Sequence, residues 1–218
     1  LRDRKVSVLR AVASPTRETV KKDTVRGRYV AGSIGDREVP SYVDEDGVDP
    51  DKRTETFAQV TLHVDSWRWA GVPFVLRSGK ALERDRQEIA IWFKPVPHLA
   101  FGQSEQPVQN VLRLRLDSSP ERLQLELNAN GGDDLFDLAP LALDTELAPA
   151  SLPAYAHVLL NVLRGDPVLS IRGDEAEEAW RIVGPILDAW RADEVPLVDY
   201  EAGSEGPASA RAGSSAAG

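Results

Sequence analysis

The chain has 218 residues, a net charge of -9, and neither cysteine nor methionine. Without cysteine there are no disulfides, thiolate metal sites or cysteine nucleophiles, and the acidic balance opposes non-specific nucleic-acid binding, which needs surplus Lys and Arg. No apolar run approaches the roughly 20 residues that span a bilayer, so no membrane partner is expected. The N-terminal stretch lacks the basic, apolar, small-residue order of a secretory signal, which leaves the cytoplasm as the default compartment. The missing methionine makes the sequence read as a fragment or processed chain.

In chain order, "LRDRKVSVLRAV" fits a helix through Val6, Leu9 and Val12 or a strand through Val6, Val8 and Arg10, with the helix preferred and ending before Pro15. "DTVRGRYV" reads as a short strand, followed by a Gly-, Pro- and Asp-rich loop from Gly32 to Lys52. In "TETFAQVTLHVD" Thr56, Ala58, Val60, Leu62 and Val64 alternate with Phe57, Gln59, Thr61 and His63. That alternation predicts an antiparallel strand covered on one face. Strand-like "VPFVL" and "EIAIWF" follow on either side of a basic turn, and "NVLRLRLD" and "RLQLELN" form a hairpin about "SSPE". Its leucines share one face, while Arg113 and Arg115 point to the other near Gln124 and Glu126.

From Ser151 the period becomes helical. Leu152, Tyr155, Leu159 and Val162 form one apolar stripe ending at Gly165. A second helix has Asp174 as N-cap, Glu177 in the capping-box position and a core face of Ala176, Trp180, Val183, Leu187 and Trp190. Pro185 should bend it. Residues 201–218 are small and polar, the composition of a flexible tail. Strands in succession with helices at the ends predict an α+β fold, a large mainly antiparallel sheet with helices packed on one face and at the ends. One domain is expected over residues 1–200.

Chemistry-bearing signals are few. His63, His98 and His157 have no serine or carboxylate at a telling spacing, and no His/Asp/Glu cluster has metal-ligand spacing. "GSIG" at 32–35 and "NGGDD" at 130–134 lack the strand and helix context of a dinucleotide fingerprint and read as turns. "GVPFVLRSGKALERDR" at 71–86 differs, because strand-like residues run into Arg77, Lys80, Arg84 and Arg86. A lysine beside Gly79, with arginines nearby, offers the point charge and the fork that suit a phosphate. Glu83, Asp85 and Glu88 leave open the alternative of a neutralised, solvated turn.

The blocks "ETFA" at 55–58, "DSWRWAGVPFVLRSGKAL" at 65–82, "EIAIWFKP" at 88–95 and "GDPVLSIRGDEAEEAWRIVGPIL" at 165–187 resemble the C-terminal domain of glucose-6-phosphate dehydrogenase. The flanks "RDRKVSVLRAV" and "YEAGSEGP" resemble that domain's ends, so the likeness covers all but the tail. The family oxidises glucose 6-phosphate to 6-phosphogluconolactone with NADP in the oxidative pentose phosphate pathway. The resemblance implies that the coenzyme and the catalytic histidine belong to an N-terminal Rossmann domain absent here. No catalytic residue is then expected in this chain, which would be inactive alone. It would supply part of the sugar-phosphate pocket and, through its sheet, a homodimer interface; exposed apolar residues such as Phe57 would make such an interface physically reasonable.

Residue by residue, the resemblance makes Lys80 the lysine that contacts the substrate phosphate. Many relatives carry an arginine five residues later, where this chain has Asp85, so Arg84 or Arg86 would take its place, with Arg84 preferred. Where some relatives have a substrate-contacting glutamine two residues after an arginine, this chain has Arg113 and Arg115, and Arg115 would restore the charge. Some relatives hold a second, structural NADP through an arginine in the terminal glycine-rich segment. Glu205 stands in that segment here, so no structural NADP is expected. The alternative function is a non-catalytic sugar-phosphate-binding or assembly module, and a purely structural dimerisation domain is a third reading.

Overall fold

The structure, a computed structural model, describes residues 1–95, 109–117, 120–130, 138–149 and 152–210. His98 and the glycines of "NGGDD" lie outside them. The fold is α+β. The chain forms two compact units, one of Leu1–Arg84 with the chain from Ala154 onward, the other of Asp85–Pro153.

In the first unit, α1 (Arg2–Arg10) and α2 (Arg17–Asp23) precede β1 (Thr24–Val30). Thr16 caps α2 reciprocally with Thr19, each hydroxyl accepting the other residue's backbone N–H, which satisfies two otherwise orphaned donors. The expected loop from Gly32 to Lys52 is more ordered than its composition suggests. It contains the hairpin β2 (Gly32–Ile34) and β3 (Arg37–Val39) and two single turns of 3-10 helix, Tyr42–Asp44 and Pro50–Lys52. β4 (Phe57–His63) pairs antiparallel with β1 and with β5 (Pro73–Gly79). The last strand, β10 (Leu197–Glu201), lies parallel to β1 and completes the order β10-β1-β4-β5.

One face of this sheet meets the helices, as expected. Ala58 and Val60 pack against Val20, Ile186 and Trp190, while Leu62 and Val64 pack with Val12 and Ile182. Arg26, on the same face, is 4% exposed. Its guanidinium donates to the Val195 carbonyl and the Asp193 carboxylate, and burial lowers its pKa against the pull of Asp193. The carrier of most of these helix contacts is α4 (Gly173–Arg191), which runs through Pro185.

Its core face agrees with the sequence reading at Trp190 and the half-buried Leu187 and differs elsewhere: Ile182, Ile186 and Ala189 are buried, whereas Trp180 is 67% exposed and Val183 is also exposed. Apolar residues occur on more than one side of this helix, so periodicity alone cannot choose the buried face. Asp174 is not the N-cap either; Arg172 is, and it grips Asp174 through two hydrogen bonds that lower the carboxylate's pKa. On α3 (Ala154–Leu163) the expected apolar stripe exists but is exposed at Tyr155, Leu159 and Val162.

The other sheet face is not the solvated one predicted. Phe57 is 1% exposed and Gln59 is buried, in a cluster with Tyr29, Tyr200, Ala202 and Ala210. Through Ala210 the chain after β10 is therefore packed, not a flexible tail. Pro207 sits over Gly27, where an added Cβ would approach its Cγ to 2.7 Å, and Gly206 (φ +95°) lies on Phe57. Arg77 fastens this segment by donating to the Gln59 side chain and to the Ala210 carbonyl. Small residues allow such close seating because their backbones can approach the rings directly.

The second unit is one antiparallel sheet of β6 (Glu88–Trp92), β7 (Val111–Arg115), β8 (Arg122–Asn130) and β9 (Leu138–Glu146), in that order. Its register pairs Ile89 with Leu114, Leu112 with Leu125, Leu114 with Leu123, and Leu125 with Leu143. Paired residues share a face, so one side is almost wholly aliphatic. The opposite side carries Glu88, Arg113, Gln124, Asp144 and Arg122.

The surroundings of the buried phenols of the first unit raise their pKa values. Burial, then a hydrogen bond to the Glu45 carboxylate, raises the Tyr29 pKa. A raised pKa makes its stabilising contribution complete below the unfolded tyrosine value of about 10 and progressively lost above it. Unfolding free energy should fall as pH rises beyond that point, less steeply in Tyr29→Phe. Identical slopes by denaturant titration would contradict this coupling.

Candidate functional site

The turn after β5 is built from its glycine outward. A Cβ on Gly79 would come within 2.8 Å of the Phe57 ring and 3.0 Å of Leu82, so the missing side chain makes room for packing. Lys80 follows. Its N–H donates to the Thr56 carbonyl at 2.9 Å, and its carbonyl accepts from the Tyr200 hydroxyl at 2.7 Å. Ala81 adopts the left-handed conformation (φ 51°), uncommon for a residue with a side chain. Its carbonyl accepts from the Gly203 N–H at 2.8 Å, Leu82 forms a parallel bridge with Ser204, and the Glu83 N–H donates to the Ser204 carbonyl at 2.9 Å.

This backbone is fixed while the charge it carries is not. Lys80 is exposed, and its ammonium has no ion pair among the described residues. Arg84 is exposed and, among the described residues, pairs only with its neighbour Glu83, at 3.6 Å. Such a pair in water is worth little and can exchange for a better anion. In this unit the structure thus brings Lys80 and Arg84 into one exposed turn, with Asp85 exposed at the start of the other unit.

Arg86 and Arg115 belong to the second unit. Arg86 lies 3.6 Å from Glu88. Arg113 is more firmly held, donating to Glu126 at 2.7 Å and to Glu88 at 3.4 Å, with its guanidinium over the Trp92 ring. Arg115 is directly opposite Arg122, a like-charge pairing. Arg122 is neutralised by Asp144 and Glu146, whereas among the described residues Arg115 pairs only with Asp117, at 3.6 Å, and its buried Nε has no hydrogen bond. Of the two hairpin arginines, Arg115 is the more weakly paired among the described residues.

Among the described residues no group of three metal-ligating side chains is clustered, and no helix is long and apolar enough to cross a membrane. His63 is exposed at the end of β4 and His157 is half-buried on α3; neither is hydrogen-bonded to a carboxylate. A cavity of about 60 Å³ near Pro15, Thr19 and His63 excludes Lys80, as does a hollow of about 170 Å³ beside Gln109 and Asn128. Residues that sequence reasoning missed are Thr56, Tyr200, Gly203 and Ser204, which shape the turn, Tyr200 through its side-chain hydroxyl and the others through backbone atoms. Their only sequence signals are the family-like blocks "ETFA", which holds Thr56, and "YEAGSEGP", which holds the other three.

An α+β domain presenting a lysine turn from the edge of a mainly antiparallel sheet is the class that these features define. A family model described as "Glucose-6-phosphate dehydrogenase, C-terminal domain" matches residues 1–218, and the chain belongs to that family. It is 43% identical over 219 residues to a glucose-6-phosphate 1-dehydrogenase of Mycolicibacterium smegmatis, covering 96% of this chain and 43% of that protein. The crystal structure of the Mycobacterium avium glucose-6-phosphate 1-dehydrogenase superposes with a TM-score of 0.74 at 34% identity, covering 97% of this chain and 42% of that one. A glucose-6-phosphate dehydrogenase in complex with its substrate glucose 6-phosphate gives 0.79 at 28% identity, covering 97% and 43%. The chain thus spans less than half the length of these relatives.

Proposed function

We propose that this domain is the C-terminal part of a glucose-6-phosphate dehydrogenase that oxidises glucose 6-phosphate with NADP in the cytoplasm, and that its role is to hold the sugar phosphate. The observation that carries this reading is the Lys80 turn: a backbone bonded on both sides of the lysine, carrying an exposed ammonium with no ion pair among the described residues, within a chain matched end to end by the family. A fixed stem with a free charge suits a dianion, since little ordering remains to be done on binding. Arg84 supplies a second, loosely paired charge in the same turn; Arg86 and Arg115, in the other unit, are candidates by the family resemblance alone. The coenzyme and the proton-accepting histidine are assigned to a Rossmann domain preceding this one. Glu205, exposed in the terminal segment, argues against a second nucleotide there; nucleotide released on denaturing the purified protein would overturn this.

The aliphatic face of the second sheet is the proposed homodimer surface. Ile89, Ile91, Leu141 and Leu143 are exposed on it, a contiguous patch of the kind that marks an interface. It replaces Phe57, which is buried and cannot serve. Sedimentation should show a dimer at micromolar concentration that Leu143→Glu dissociates; a monomeric wild type would refute the assignment.

In the dehydrogenase carrying this domain, Lys80→Ala should raise KM for glucose 6-phosphate by roughly 10- to 100-fold, the loss of one charge-assisted contact, with a smaller effect on kcat. An unchanged KM would remove Lys80 from the site. A natural polypeptide that binds glucose 6-phosphate without oxidising it would favour the non-catalytic module, for which Asp85 and Arg115, both departures from the family pattern, are the supporting features.

A further inference from the structure

Tyr200 is 120 residues beyond Lys80 in sequence, yet its hydroxyl donates to the Lys80 carbonyl at 2.7 Å. The same oxygen lies 3.0 Å from the Thr56 hydroxyl and 3.2 Å from the Thr56 carbonyl, and that carbonyl accepts the Lys80 N–H. Beyond it the two segments remain joined residue by residue: Ala81 to Gly203, Leu82 to Ser204 and Glu83 to Ser204. Four consecutive residues of the turn are therefore held, Lys80 by β10 itself and the next three by the chain directly after it. The ring of Tyr200 is itself seated edge-on against Phe57 and Tyr29 and is 5% exposed, so its hydroxyl has a rigid support.

A phosphate-binding lysine gains from such a support for a physical reason. Its ammonium sits on a flexible four-carbon stem, and the entropy of placing it is lost on binding unless the backbone already aims it. Here the backbone passes through a left-handed alanine immediately after the lysine, a conformation that persists only where surrounding contacts hold it. The Lys80 and Ala81 carbonyls, on either side of that strained unit, are the two atoms that Tyr200 and Gly203 bind.

We propose that Tyr200 is a positioning residue for substrate: its hydroxyl fixes the backbone from which Lys80 reaches the phosphate, without touching the phosphate itself. The inference rests on the assignment of Lys80 to the sugar phosphate. It makes substrate affinity depend on a group at the far end of the chain, and on a hydrogen bond that phenylalanine cannot make.

The test is steady-state kinetics of the complete dehydrogenase with glucose 6-phosphate, for wild type, Tyr200→Phe, Lys80→Ala, the double variant and Tyr29→Phe. Tyr200→Phe should raise KM roughly three- to tenfold, the loss of about one hydrogen bond's worth of placement, with kcat within about twofold. In the Lys80→Ala background it should change KM little, because the group being positioned is gone. Tyr29→Phe removes a buried hydrogen bond from the same cluster but none from the turn, and should lower the thermal midpoint without moving KM. Should Tyr200→Phe fail to fold, Glu83→Pro deletes the N–H bonded to Ser204 from an exposed residue and should raise KM in the same direction. An unchanged KM in Tyr200→Phe, an equal rise in the Lys80→Ala background, or an equal rise in Tyr29→Phe each overturns the positioning role. An unchanged KM in Lys80→Ala, or a wild type that does not oxidise the sugar phosphate, instead overturns the Lys80 assignment, and the inference with it.

Discussion

A sheet that buries both faces needs two covers, and in the first unit the second cover is the chain that follows the last strand. Phe57 projects from β4 into a space closed by Gly206, Tyr200 and Ala202. Burying a phenylalanine completely is a strong driving force, and here it depends on a segment with no large apolar side chain beyond β10. Gly27, Gly79 and Gly206 are each placed where a side chain would collide with that arrangement. The close seating of backbone on ring is the constraint from which the geometry of the Lys80 turn follows.

The division between fixed and free groups in the turn follows from the same packing. Atoms of residues 79–83 that face the core are bonded or in contact, whereas the side chains of Lys80 and Arg84 face water. Arginines that bind internal carboxylates tightly, such as Arg26 and Arg113, have little to offer a ligand. Those with long, exposed pairings retain their capacity to bind an anion. Charge alone therefore does not identify the candidate site; charge left unsatisfied by the fold does.

Much of this could be read from the residues. The alternating leucines of 112–116 and 123–127 predicted a hairpin, and the observed register pairs Leu112 with Leu125 and Leu114 with Leu123. The strand over Phe57–His63 and the helices near Ala154 and Gly173 were also legible from period. What period could not convey was which face wins when both are apolar, as on α4, where Ile182 and Ile186 are buried and Trp180 is exposed. Nor could composition convey that Ala202, Pro207 and Ala210 are interior, because small residues bury little area by themselves and read as solvent-loving or indifferent. The candidate lysine was visible as a charge beside a glycine. The partners that shape its turn, Tyr200, Gly203 and Ser204, act through contacts separated by more than a hundred residues and leave no local pattern.

The most direct measurement is amide hydrogen exchange, by NMR, on this chain. If the segment after β10 closes the second sheet face and holds the lysine turn, the amides of Lys80, Glu83 and Gly203 should be protected to a similar extent and far more than that of Gly47, which lies in an exposed loop. Rapid exchange at Gly203 and Glu83, with β1 and β4 still protected, would show that the terminal segment is detached from the turn and would contradict the account.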